Sequence, residues 1–166
     1  YLSIEWNQNY YDTCMRVCDD LINNFEDREK GGFFFTSDQH EQLFYRPKSI
    51  SDDSVPSGLV YATDTLLYMG FISGNHKYIE AAHGALDFIY KSIDDNLTST
   101  VSAINLLRED NLEKEIIIVR TNEKAWEKIT DSEEYYAKCI IFIENELQNL
   151  PDYIAFKESK GEFTSY

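Results

Sequence analysis

Cysteine is scarce in this sequence: three residues in 166, an odd number and too few for the disulfide framework of a small secreted domain. That count points to a reducing compartment, and we expect an intracellular, cytoplasmic protein. Basic residues are also in deficit, 15 Lys and Arg against 30 Asp and Glu, which leaves a net charge of −15. A surplus of that sign repels phosphate backbones and anionic lipid, so nucleic acid and the membrane surface are excluded as partners. No run of 18 apolar residues occurs, and the opening Tyr1-Leu2-Ser3-Ile4-Glu5 has neither an initiator Met nor the basic and apolar blocks of a signal peptide. The chain reads as a soluble fragment of something longer.

Core-forming material is plentiful. Apolar residues make up 43% of the sequence and aromatics 14%, with 12 Tyr and 10 Phe, which excludes a wholly disordered chain. Folding a chain of this length buries roughly two-thirds of its unfolded surface, enough for a true core.

Apolar residues at three- and four-residue steps, Tyr10, Cys14, Val17, Cys18, Leu21, Ile22 and Phe25, predict a first amphipathic helix over Tyr10 to Phe25. Asp27 to Gly32 ends it with charge and then glycine, and Phe33-Phe34-Phe35-Thr36 follows as a short strand-like run. The loop from Ser37 to about Asp53 is too long and aromatic for a mere connector, so part of it should be ordered. Ser54 is a candidate N-cap for a second helix, with Pro56 in its first turn and Leu59, Ala62, Leu66, Met69 and Phe71 on its apolar stripe. A third helix is expected over Lys77 to Ile93, burying Ile79, Ala82, Leu86, Ile89 and Ile93. A fourth, capped by Thr98 or Ser99, carries Val101, Ile104, Leu106 and Leu107. Short polar turns between such helices imply antiparallel hairpins.

After Asn111 the pattern changes. Ile116-Ile117-Ile118-Val119 is a β-branched run with no helical period, the pattern of a strand buried on both faces. A helix is expected over Asn122 to about Ile129, and a second strand over Cys139 to Ile143; strand, helix, strand predicts a parallel βαβ unit. The expected domains are residues 1–111, helical, and residues 112–166, a small α/β closing segment.

Gly31-Gly32-Phe33-Phe34-Phe35-Thr36, Glu41, Arg46-Pro47-Lys48, Asp52 and Pro56-Ser57-Gly58, in that order and spacing, resemble the C-terminal part of the YyaL-like family. These are thioredoxin-domain proteins that include the spermatogenesis-associated member of animals. The likeness continues through Leu66-Leu67, the Thr100 to Leu107 helix and the Ile116 to Val119 strand. It implies a mainly α fold: the last hairpins of an α/α toroid similar to six-hairpin glycosidases and N-acylglucosamine epimerases, closed by the βαβ segment. The redox domain of the family is missing from this chain. Leu59 stands where the family usually has Asn, and Asp53 where it usually has Gly.

Arg46 and Lys48 precede a helix whose free N–H groups near Ser57 and Gly58 favour an anion or a polar sugar-like group, so these four are candidate ligand-binding residues. Asp52 beside them suits a hydroxyl-orienting or acid/base role, and Glu41 with Asp52 is the carboxylate pair that glycoside chemistry would need. The plainer use of Arg46 and Asp52 is a salt bridge bracing the loop. Cys14 and Cys18 share a helix face but lack CxxC spacing and read as buried small hydrophobes, as does Cys139; a redox-active segment is the weaker alternative. His83 with Asp87 and His76 with Glu80 are pairs too small for a metal site, and His40 lies in the motif loop. No metal or cofactor is expected. Asn96-Leu97-Thr98 fits a glycosylation pattern but reads as a capping turn. Phe33 to Phe35, Phe44 and Tyr45 would stack on a sugar or pack a core.

The function expected is therefore that of a carbohydrate-enzyme-like α/α toroid segment binding a sugar or small polar ligand at the motif loop; the alternative is a non-catalytic scaffold or interaction module serving the missing thioredoxin-like domain or a partner. A toroid reduced to a few helices leaves apolar faces that the rest of the parent chain, or self-association, would cover.

Overall fold

The structure, a computed structural model, describes residues 6–39, 45–93, 97–111, 116–121, 139–144, 147, 150–155 and 163–165. The fold is mainly helical. Two compact units make it up: Met15–Leu112, and a second that joins Tyr1–Cys14 to Glu113–Tyr166. Among the described residues no helix is long and apolar enough to cross a membrane.

Helix α1 spans Gln8–Phe25, with Asn7 capping it by accepting from the Tyr10 amide at 3.2 Å. Its buried side lies at Tyr11 and Cys18, whereas Tyr10 and Val17, expected on the apolar face, are exposed. In the helical unit α2 (Gly58–Ser73) is the central element, buried at Leu59, Val60, Thr63, Leu66, Leu67, Met69, Gly70 and Ile72. The Thr63 hydroxyl survives full burial by donating to the Leu59 carbonyl at 2.8 Å. Helix α2 starts later than Ser54, because Ser57 is the residue whose hydroxyl accepts from an amide of the first turn. Phe71 faces outward, since the buried surface wraps the side defined by Leu59, Thr63, Leu66 and Gly70.

Gly74, with φ of +70°, ends α2 in the left-handed region that glycine adopts freely. Asn75 then caps α3 (His76–Ser92) by accepting from the Lys77 amide. The buried face of α3 is Tyr78, Ala81, Ala82, Ala85, Leu86 and Ile89, turned from the expected stripe so that Ile79 and Ile93 are only half-buried. Small residues set that rotation. A Cβ on Gly70 of α2 would meet the Ile79 side chain at 2.6 Å, so the two helices approach through glycine. The Tyr78 hydroxyl donates to Asp19 at 2.8 Å and to the Met15 carbonyl at 3.1 Å, which pins α3 to α1. Burial and the Asp19 carboxylate push that hydroxyl well above its ordinary pKa. A turn of 3-10 helix at Leu97–Ser99 leads into α4 (Val101–Asp110), which packs on α2 and α3. Its N-cap position is Thr100 rather than Thr98 or Ser99, and Thr100 forms no side-chain capping bond.

Phe33 to Thr36 forms no strand: only Phe33 bridges, to Glu26. The amides of this run go to separate segments, Phe34 to the Phe25 carbonyl and Phe35 to the Pro47 carbonyl, so no ladder develops.

In the other unit β1 (Ile116–Thr121) is the middle strand of three. It pairs in parallel with β2 (Cys139–Glu144), Ile116 opposite Cys139, and antiparallel with β3 (Phe163–Ser165). Ile118 and Val119 are neighbours, hence on opposite faces, and both are buried, as the β-branched run predicts. A short helix α5 (Asp152–Ala155) buries Ile154. The helix expected over Asn122 to Ile129 lies outside the described residues.

Gly31 sits at φ of +74°, and an added Cβ would lie 2.1 Å from the Gly84 carbonyl oxygen of α3. Gly31→Ala should therefore cost about 3 kcal/mol through strain and displaced backbone. Gly58 has open space around its Cβ position, so Gly58→Ala should be neutral or stabilise by up to about 1 kcal/mol. Urea unfolding of the two variants checks the contrast.

Candidate functional site

Asp52 lies where two helices begin. One carboxylate oxygen accepts from the Ser57 amide at 3.0 Å, at the cap of α2, and from the Ser102 hydroxyl; the other accepts from the Ser102 amide at 2.8 Å, in the first turn of α4. Its own amide donates to the Ser99 carbonyl at 2.6 Å. Free N–H groups and the dipole at a helix start favour a negative charge, and here the chain supplies that charge itself. Burial alone would raise the carboxyl, but the bonds from Ser102, Ser57 and Val101 outweigh it and hold the pKa below its ordinary 3.8. Ser57 is likewise occupied: its hydroxyl donates to the Ser49 carbonyl at 2.8 Å and accepts from the Val60 amide. Gly58 is exposed at the first helical position.

Lys48 and Arg46 turn away from Asp52. The Lys48 ammonium donates to Asp27 at 2.6 Å and to the Gly31 carbonyl at 2.8 Å, and lies 4.0 Å from the centre of the Phe88 ring. Both partners of this ion pair expose only 10% of their side chains. Asp27 also accepts from the Glu29 and Lys30 amides, an Asx-type turn that shapes the chain leading to Gly31 and Gly32. Burial pushes its carboxyl up, while Lys48 and those amides pull it further down, to a net value below 3.8. Arg46 stacks on Phe34, 4.1 Å from ring centre, and donates to the Thr36 carbonyl and, at 3.1 Å, to the Asn24 carbonyl. The expected Arg46–Asp52 salt bridge does not form, because backbone carbonyls take Arg46 while the Ser57 and Ser102 amides and the Ser102 hydroxyl take Asp52.

Two open clefts adjoin these residues. One, of about 330 Å³, is lined by Lys48, Ile50 and Phe88 with Ser49, Ser51, Ser92, Ser99 and Thr100. The other, of about 450 Å³, runs from Ile22 at the end of α1 past Glu29 to Phe34, Asp38 and Arg46.

Glu41, His40 and Phe44 lie outside the described residues, as does Asn96, so the Glu41–Asp52 pair has no geometry here. His83, Asp87, His76 and Glu80 are exposed along α3, and no group of three His, Cys, Asp or Glu able to hold a metal ion occurs among the described residues. Cys18 is fully buried and Cys14 half-buried, both as thiols. Asp27 and Ser102 complete the arrangement and were not among the sequence candidates. Asp27 has a detectable signal, an Asp that opens a turn closed by two glycines. Ser102 has none, being an ordinary residue of an amphipathic helix.

The chain matches no family model and no curated protein.

Lys48→Met strands the Asp27 carboxylate and should cost about 3 kcal/mol, whereas Asp27→Leu added to it should recover part of that loss. The pair Arg28–Glu26, in which Arg28 is 71% exposed, should contribute under about 0.5 kcal/mol when Arg28 becomes Ala. A double-mutant cycle by chemical denaturation checks both. Asp52→Asn should cost about 1–2 kcal/mol at neutral pH. Because the folded carboxyl is depressed, its contribution is complete above the unfolded value and lost as pH falls through the folded one. The melting-temperature gap between wild type and Asp52→Asn should therefore close below about pH 4.

Proposed function

We propose that the chain is a non-catalytic helical scaffold, an interaction module built like the end of an α/α toroid. The single observation that supports this is the use made of the motif loop. Asp52 spends both oxygens on helix starts, Lys48 is held by Asp27 and Gly31, Arg46 by Thr36 and Asn24, and Ser57 by Ser49 and Val60. A residue kept for substrate presents a donor or acceptor to the cavity; these present theirs to other groups of the chain. Leu59 fits the same reading, since it is buried in the first turn of α2 where the resembled family has a polar side chain.

In this proposal α2, α3 and α4 are hairpin elements of the toroid of a YyaL-like protein, and the parallel pair β1–β2 is the frame of the closing βαβ segment. Its partner is the remainder of a parent chain, a second copy or another protein. A second reading rests on the cleft of about 330 Å³ at Lys48, whose five serine and threonine residues suit a sugar or another small polar ligand.

A thermal-shift screen against monosaccharides, N-acyl sugars and sugar phosphates, with Arg46→Ala and Asp52→Ala in parallel, separates the two. The scaffold reading expects no shift with any sugar and lower baseline melting in both variants. A sugar-induced rise in wild type that disappears in the variants would replace it with the ligand-binding reading.

A further inference from the structure

Two large aromatic rings of the helical unit, on the segments that carry Phe34 and Arg46, stand in solvent. Phe35 is 82% exposed and Tyr45 is 74% exposed. Phe35 follows Phe34 and Tyr45 precedes Arg46, on segments held side by side, the Phe35 amide donating to the Pro47 carbonyl at 2.8 Å and Arg46 to the Thr36 carbonyl. Beside the stacked Phe34 and Arg46 opens the cleft of about 450 Å³ whose wall also includes Glu26, Glu29 and Asp38. The charges in this cleft divide into spent and unspent. Arg46 is committed to carbonyls, Arg28 to Glu26 and Asp27 to Lys48, while the carboxylates of Glu29 and Asp38 have no partner among the described residues.

Exposed aromatic faces attract cations, most strongly the planar guanidinium, and nearby carboxylates add to that attraction. The chain as a whole carries −15, which draws a basic partner in and repels a second copy of itself. We propose that this surface docks an arginine-bearing segment of a partner protein, with aliphatic and guanidinium groups lying on Phe35 and Tyr45 and a charged head reaching Asp38 and Glu29 in the cleft. The inference rests on the scaffold reading and names the chemistry of the partner.

The test uses the whole chain and a short fluorescein-labelled peptide of alternating arginine and leucine, followed by anisotropy, with glutamate replacing arginine in a control peptide. Phe35→Ala combined with Tyr45→Ala should weaken binding by about tenfold or more while leaving the melting temperature unchanged, because both rings are exposed. Asp38→Asn should also weaken it, and Asp110→Asn, which removes the same charge at the end of α4, should not. No binding of the arginine peptide overturns the proposal. So does binding that the aromatic double variant leaves within about twofold, or that Asp38→Asn and Asp110→Asn reduce equally, since either result means general attraction to a polyanion. Failure here with sugars still silent leaves the scaffold reading standing, whereas an Asp52-dependent sugar shift removes that reading itself.

Discussion

An ammonium group loses several kcal/mol of hydration when it is buried, and Lys48 is tolerated because every side of it is answered. Asp27 and the Gly31 carbonyl accept hydrogen bonds from it, and the Phe88 ring centre lies 4.0 Å away. Three segments meet at that one charge: the turn after α1, the motif loop and α3. Gly31 is pressed against Gly84 in the same place, so the ion pair and the glycine contact hold one another in register. Around this point the Phe34–Arg46 stack ties the loop to the end of α1.

Asp52 does for α2 and α4 what Lys48 does for the turn. A carboxylate at a helix start is ordinary; a single carboxylate shared by the starts of two helices is a joint. The motif loop thus consists largely of connections between elements. Its conspicuous composition, arginine, lysine, aspartate and serine in close order, has the same cause that makes such residues suit a binding site. Strong donors and acceptors are needed wherever backbone groups lack partners, whether the partner is a ligand or the chain.

Much of the helical pattern was legible because burial at three- and four-residue steps leaves a periodic trace, and the Ile116 to Val119 run announced its strand by composition. The rotation of α3 was not legible. It follows from Gly70, Ala81, Ala82 and Ala85, small residues whose importance lies in what approaches them. The start of α2 was misplaced by three residues because Ser54 and Ser57 are equal as letters, and only the amide of Val60 distinguishes them. In the site, Arg46, Lys48, Asp52 and Ser57 stood out for their chemistry, but their partners could not be read: Ser102 is distant in sequence, and the carbonyls of Thr36, Asn24 and Gly31 belong to the backbone.

The bond between Asp52 and the Ser102 amide joins residues 50 positions apart. Helix α4 has only ten residues, too few to persist alone in water, and its own N-cap residue gives it no side-chain support. Its first turn therefore depends on a carboxylate brought to it from a distant part of the chain. In the native state, opening of that joint frees the first-turn amides of α4 to exchange with solvent.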